Sequence, residues 1–195
     1  MKTAAAILAL AGAVTAQNYM RVMSIRSGSP IMYAPMVARG EKIYLGGETA
    51  SYCPETVGEN CPAGNTTTFV YGQGHLSMGA IVPGGQAVYV DSQTGAVGYT
   101  IAHSAAIPQG AYQAGWNVTQ NVAAGGILGR LDFEGGLIAC PVDGTYPYQV
   151  FGQVEGVSFA ADCLALMRCS ATALRHQHGS IPKSSDFDEK HVQLA

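Results

Sequence analysis

Charge is what this sequence has least of. Asp, Glu, Lys and Arg make up 12% of 195 residues, with ten basic and thirteen acidic side chains and a formal net charge of −3. An average domain carries about a quarter charged residues, and the basic stripe that nucleic-acid binding requires is missing here. Nucleic acid is excluded as a partner. Aromatics are also sparse, at 8% with a single Trp. No segment reaches the ~18 uninterrupted apolar residues of a membrane span, and the polar run 184–195 predicts no hydrophobic tail for a lipid anchor. Glycine is plentiful instead, with 25 residues in a chain that is 48% apolar. Folding at this length buries roughly 70% of the unfolded surface, enough for one domain with a real core.

The amino terminus sets the compartment. Met1-Lys2-Thr3 is a short basic stretch, an apolar run follows over 4–14, and Val14-Thr15-Ala16 places small or neutral side chains where signal peptidase needs them. This predicts a signal peptide over 1–16, a secreted β domain over 17–164 and a divergent tail over 165–195.

Export into an oxidising compartment favours disulfides over free thiols. The five cysteines are Cys53, Cys61, Cys140, Cys163 and Cys169. Cys53 and Cys61 flank a short Gly- and Pro-bearing loop, and closing it contributes roughly 2.5 kcal/mol in the chain-entropy picture. Cys140 and Cys163 then pair over a longer interval, for about 3.5 kcal/mol. Cys169 is left over, to compete with Cys163 or to form an intermolecular bond. No pair has the gap of a structural zinc site. Two sequons suit the same compartment, Asn65-Thr66-Thr67 and Asn117-Val118-Thr119, and each requires surface exposure to be used.

Short apolar runs separated by Gly, Pro and Asn dominate the rest. They predict strands over 20–25, 31–37, 42–45, 67–71, 75–81, 87–91, 97–101, 127–133, 137–141 and 148–154. Alternation is plain in Val88-Tyr89-Val90 and in Tyr148-Gln149-Val150-Phe151. Pro83-Gly84-Gly85, Glu134-Gly135-Gly136 and Asp143-Gly144 read as turns, because Gly takes positive φ without steric cost. The class is all-β, a single-domain antiparallel sandwich or barrel, with a short C-terminal helix over 160–174 suggested by its Ala, Leu and Met content. Beyond it the polar run to Ala195 reads as disordered.

Several segments carry a resemblance. Residues 23–31, 44–55 and 61–65, then Gly84-Gly85-Gln86, Tyr89-Val90-Asp91, Ala102-His103-Ser104, Ile107-Pro108, Ala139-Cys140-Pro141, Gln149-Val150-Phe151 and Asp162-Cys163-Leu164, resemble in order the IgE-binding family of secreted proteins of filamentous fungi. Through its signal peptide, its Val90-Asp91 segment and its Ala-Cys-Pro motif the chain is more distantly similar to the fungal cell-wall protein PhiA. The resemblance implies a small secreted or wall-associated fungal glycoprotein, allergen-like or elicitor-like, with no enzyme activity and no cofactor. The partners it suggests are wall polysaccharide and host proteins, immunoglobulin E among them. The similarity fades after Leu164, where the tail reads as a lineage-specific extension or as translation past a true splice site or stop.

Catalytic readings are thin. Asp132 and Glu134 stand at the strand spacing that puts two carboxylates on one face, as a glycosidase pair requires, but carboxylates beside a hairpin turn have a simpler reading as solvated residues. No Gly-x-Ser-x-Gly elbow is present. His103 reads as an ordinary histidine at a strand end. His176 and His178 share one side of an extended segment and could hold a metal ion, a thin reading because they lie in the divergent tail. Gly72-Gln73-Gly74-His75 lacks the Lys-Ser/Thr ending of a phosphate loop and reads as a hairpin. Tyr89, Tyr99, Tyr112, Tyr146, Tyr148 and Trp116 either pack in the core or form a sugar-stacking platform. A closed barrel would also admit a small-ligand carrier.

Overall fold

The computed structural model describes residues 19–50, 55, 66–80, 82–123, 126–166 and 169–173. They form thirteen strands and no helix: β1 (Tyr19–Ser24), β2 (Met36–Arg39), β3 (Lys42–Leu45), β4 (Phe69–Gly72), β5 (His75–Met78), β6 (Val88–Val90), β7 (Val97–Tyr99), β8 (Trp116–Ala123), β9 (Gly126–Phe133), β10 (Leu137–Val142), β11 (Thr145–Gly152), β12 (Leu164–Leu166) and β13 (Cys169–Ala173). The all-β antiparallel class read from the sequence is the class observed. Signal peptide, Cys53, Cys61, Asn65, His176 and His178 lie outside the described residues.

Alternation builds the strands. In β1 the side chains of Met20, Val22 and Ser24 point inward, and in β11 those of Tyr148 and Val150 do so, as the two-residue period demands. Hairpin chemistry joins them. Gln73 and Gly74 carry φ of 50° and 79° between β4 and β5, and Asp143 and Gly144 carry 51° and 76° between β10 and β11. Two successive positive φ values make the turn whose twist matches that of the strands it connects.

Two antiparallel sheets result. One has the order β5-β4-β1-β13-β9-β8; the other runs β12-β10-β11-β3-β7-β6, with β2 on the far side of β3. Corner bridges link them at Met23 with Pro35 and Ser77 with Ala87. The six-stranded sheet curls until its two ends approach, and the Trp116 N–H at the start of β8 donates to Gly74 O in the β4–β5 turn at 3.1 Å. That sheet is nearly a barrel. Its inward residues Met20, Val22, Phe69, Leu76 and Leu131 pack in one cluster with Ile43, Leu45, Val88, Val97, Leu137 and Val150 of the other sheet. Gly152 fits against this cluster by being small: a Cβ there would lie 2.7 Å from Val90 and 3.0 Å from Phe133.

The helix expected over 160–174 is not formed; β12 and β13 occupy that stretch. Ala and Leu lead other residues as helix formers by less than ~1 kcal/mol each, and a slot in mid-sheet outweighs that. On one side of β13, Ser24 pairs with Cys169 and Met20 with Ala173; on the other, Cys169 pairs with Leu131 and Thr172 with Leu128. Both edges of β13 are thus occupied. Cys169 is only 1% exposed, which removes the intermolecular bond considered for it. The strand expected over 31–37 also shrinks to its end. Ser29-Pro30 starts a run of turns in which Ile31 is fully buried and Tyr33 takes a φ of 60°, and only Met36 onward enters a ladder.

Candidate functional site

A cluster of polar side chains gathers where the curled sheet nearly closes. A groove of about 510 Å³ is lined by Gly74, Gly115, Trp116, Asn117, Arg130, Asp132, Phe133, Glu134 and Gly136. Strands β8 and β9 supply most of it, because their register sets Trp116 opposite Phe133, Asn117 opposite Asp132 and Thr119 opposite Arg130. Alternation then sorts the pairs. Trp116 and Phe133 point inward, with ring centroids 5.2 Å apart, and Tyr112 meets the Phe133 ring edge-on at 6.4 Å. Asn117 and Asp132, and next to them Thr119 and Arg130, point outward.

The end of the groove at Glu134 is held by the backbone. Glu134 follows the last residue of β9; its N–H donates to Gly115 O at 2.8 Å, and the Gly136 N–H donates to Phe133 O at 2.7 Å. Gly115 adopts a φ of 99°, with the Phe133 ring 3.2 Å from where a Cβ would stand. The fold therefore needs glycine there.

Arg130 grips Asp132 with two groups. Its Nη2 donates to Oδ1 at 3.1 Å while Nε faces Oδ2. The arginine side chain is 47% exposed, so the pair contributes no more than ~1 kcal/mol to stability. Its consequence is chemical: both carboxylate oxygens of Asp132 already accept from a guanidinium. Asp132 and Glu134 both line the groove, but not as a pair on one strand face: Asp132 is engaged by Arg130, and Glu134 lies past the end of β9, exposed in a turn. Sequence reading had passed over Arg130; the signal available was an Arg-x-Asp spacing in a strand, which puts two opposite charges on one face.

Other sequence candidates disperse. Cys140 on β10 is joined to Cys163 by a disulfide, Cα to Cα 4.2 Å, one step beyond the Ala139–Leu164 pair of the β10–β12 ladder. Trp116 and Tyr148 are buried, so the six aromatics named above do not make one exposed platform. Tyr99 is half-buried and its hydroxyl accepts from the Glu41 N–H at 3.3 Å; burial, which disfavours the phenolate, raises the pKa of both Tyr99 and Tyr89 above the usual phenol value. Tyr112 and Tyr146 remain exposed, the latter with its hydroxyl accepting from Gly47 N–H at 3.2 Å. His103 lies exposed in a turn with a φ of 62°. Among the described residues no three His, Cys, Asp or Glu side chains converge as metal ligands, and no helix is long and apolar enough to cross a membrane.

Residues 20–178 match the family model of PhiA-like secreted proteins. The chain belongs to that family. The PhiA-like match continues past Leu164 and takes in β12 and β13. An uncharacterized secreted protein of Arthroderma benhamiae is 44% identical over 122 residues, covering 62% of this chain and 60% of that protein. No solved structure matches the chain. The protein is thus a secreted fungal PhiA-like chain with a disulfide-bonded, antiparallel β fold.

Proposed function

We propose that this PhiA-like protein is a non-catalytic, cell-wall-associated glycoprotein that acts by binding saccharide of the wall polysaccharide in the β8–β9 groove. The observation that carries this reading is the groove's composition: the planar polar side chains of Asn117, Arg130, Asp132 and Glu134 gather in one groove beside the buried Trp116–Phe133 pair. Amide, guanidinium and carboxylate groups suit vicinal hydroxyls because each offers paired donors or acceptors, and a volume near 510 Å³ is within the usual range for small-molecule sites. The engagement of Asp132 by Arg130 supports a binding rather than a hydrolytic role. An allergen-like or elicitor-like role, with host proteins including immunoglobulin E as partners, rests on the resemblance to the IgE-binding family and on the exposed Tyr33, Tyr112 and Tyr146.

The test is co-sedimentation of the secreted protein with insoluble chitin and β-1,3-glucan, with analysis of soluble products. Binding is expected to at least one polymer without release of sugar, and Arg130→Ala should weaken it about tenfold, the loss of one good charged hydrogen bond at ~1.4 kcal/mol. Absence of binding to either polymer, or sugar release abolished by Asp132→Asn or Glu134→Gln, overturns the proposal. Immunoglobulin E from fungus-sensitised sera, but not from control sera, should capture the same protein.

A further inference from the structure

The sequon Asn117-Val118-Thr119 lies on β8 beside the groove. Val118 is its inward residue, while Asn117 and Thr119 are both exposed, so the amide nitrogen that would carry a sugar and the hydroxyl that completes the sequon share the outer face. Directly across the ladder stand Asp132 and Arg130, at the ~5 Å Cβ spacing of antiparallel partners. Asn117 itself lines the groove. Strand β8 is moreover the last of its sheet, and an eight-residue outer strand is the kind of edge that natural proteins cover.

We infer that Asn117 carries an N-linked oligosaccharide that lies over the Arg130–Asp132 pair and competes with other saccharides for the groove. In the secretory pathway the oligosaccharide comes from a lipid-linked diphosphate donor. A bond forms between Asn117 Nδ2 and sugar C1, the C1–O bond to the diphosphate breaks, and one amide proton is released. The attached chain starts at the groove's rim, and its first sugars present to Arg130 and Asp132 the same hydroxyl chemistry that the wall polymer would. Two forms of the protein follow: a masked form with the Asn117 glycan and an open form without it. The masking role rests on the saccharide-binding reading of the groove; the placement of the glycan over Arg130 does not.

The experiment uses the full chain secreted from a filamentous fungal host, as wild type, as Asn117→Gln, and as wild type stripped of N-glycans while folded by an amidase, which leaves an aspartate at position 117 and so is read against the uncharged Asn117→Gln. Peptide mapping reads occupancy of Asn117, and an arginine-specific dicarbonyl reagent followed by mass spectrometry reads access to Arg130, with Arg39 of the other sheet as internal reference. Expected are an occupied Asn117, severalfold slower labelling of Arg130 in the glycosylated protein than in the other two, equal labelling of Arg39 in all three, and about tenfold tighter binding of the open forms to the polymer. An unmodified Asn117, or Arg130 labelled equally with and without the glycan, overturns the inference. Protection of Arg130 without polymer binding by any form leaves the glycan placement standing and sinks the saccharide-binding reading with the masking role. The stripped wild type gives the answer even where Asn117→Gln is not secreted.

Discussion

Cys169 shows how far one residue's environment decides its chemistry. It faces the core from β13, 1% exposed, and its thiol is pushed up to about 12, first by burial and then by the negative charge of Asp132, against a smaller opposite effect of Arg130. The thiolate is the reactive form, so alkylation at pH 8 should leave the Cys169 peptide unlabelled in the native protein and label it in denaturant. A folded protein that labels at the denatured rate would contradict the burial. The same shift fixes a sign in the pH dependence. Between the ordinary value near 9 and about 12 the unfolded chain has lost this proton while the folded chain keeps it. The folded state then binds more protons, and stability falls as pH rises through that window. Cys169→Ala should flatten that decline in urea titrations between pH 8 and pH 11, at a cost of ~1 kcal/mol at neutral pH.

At the scale of elements, the strands readable from the sequence were those with a clean two-residue period or a strong turn beside them. Lys42–Leu45 was read at its observed bounds, and β9, β10 and β11 to within a few residues. What failed did so for identifiable reasons. Strand β8 was missed because its outward positions Asn117 and Thr119 are those of a sequon, and only pairing along β9 shows them to be the wet face of a strand. Strands β12 and β13 were hidden by Ala, Leu and Met. Both paired edges of β13 make a specific claim. Ala171→Pro removes an N–H from a strand with partners on each side, a substitution tolerated essentially only at sheet edges. It should cost more than ~3 kcal/mol, or roughly 6–12 °C in Tm, whereas Ser170→Thr, which adds a β-branched side chain to the same strand, should leave Tm within ~2 °C or raise it. A helix at 160–174 would give the opposite sign for Ser170→Thr, since Thr ranks below Ser there. The groove followed the same division: Asp132, Glu134 and Asn117 were legible as residue types, while their meeting depended on the β8–β9 register and on Gly74 arriving from a distant hairpin.

For the whole molecule the question is whether two sheets fold as two units or one. The buried cluster joins Phe69, Leu76 and Leu131 of the curled sheet to Ile43, Val90 and Val150 of the other, so neither sheet has a core of its own to keep when its partner melts. Corner bridges at Met23–Pro35 and Ser77–Ala87 tie the ladders as well. Trp116, the single tryptophan, reports from the curled sheet, and far-UV circular dichroism reports from both. The two signals should trace one urea transition with one midpoint. Replacing Cys140 and Cys163 together by Ser frees a loop 23 residues long and should lower stability by roughly 3.5 kcal/mol through the unfolded state. Because the bridge pins β12 to β10 within the second sheet, that loss should still appear in the Trp116 signal of the first. A fluorescence midpoint left unmoved while the circular dichroism midpoint falls would mean that the sheets unfold separately, and that the groove at the seam of the curled sheet outlasts the disulfide-bonded half of the fold.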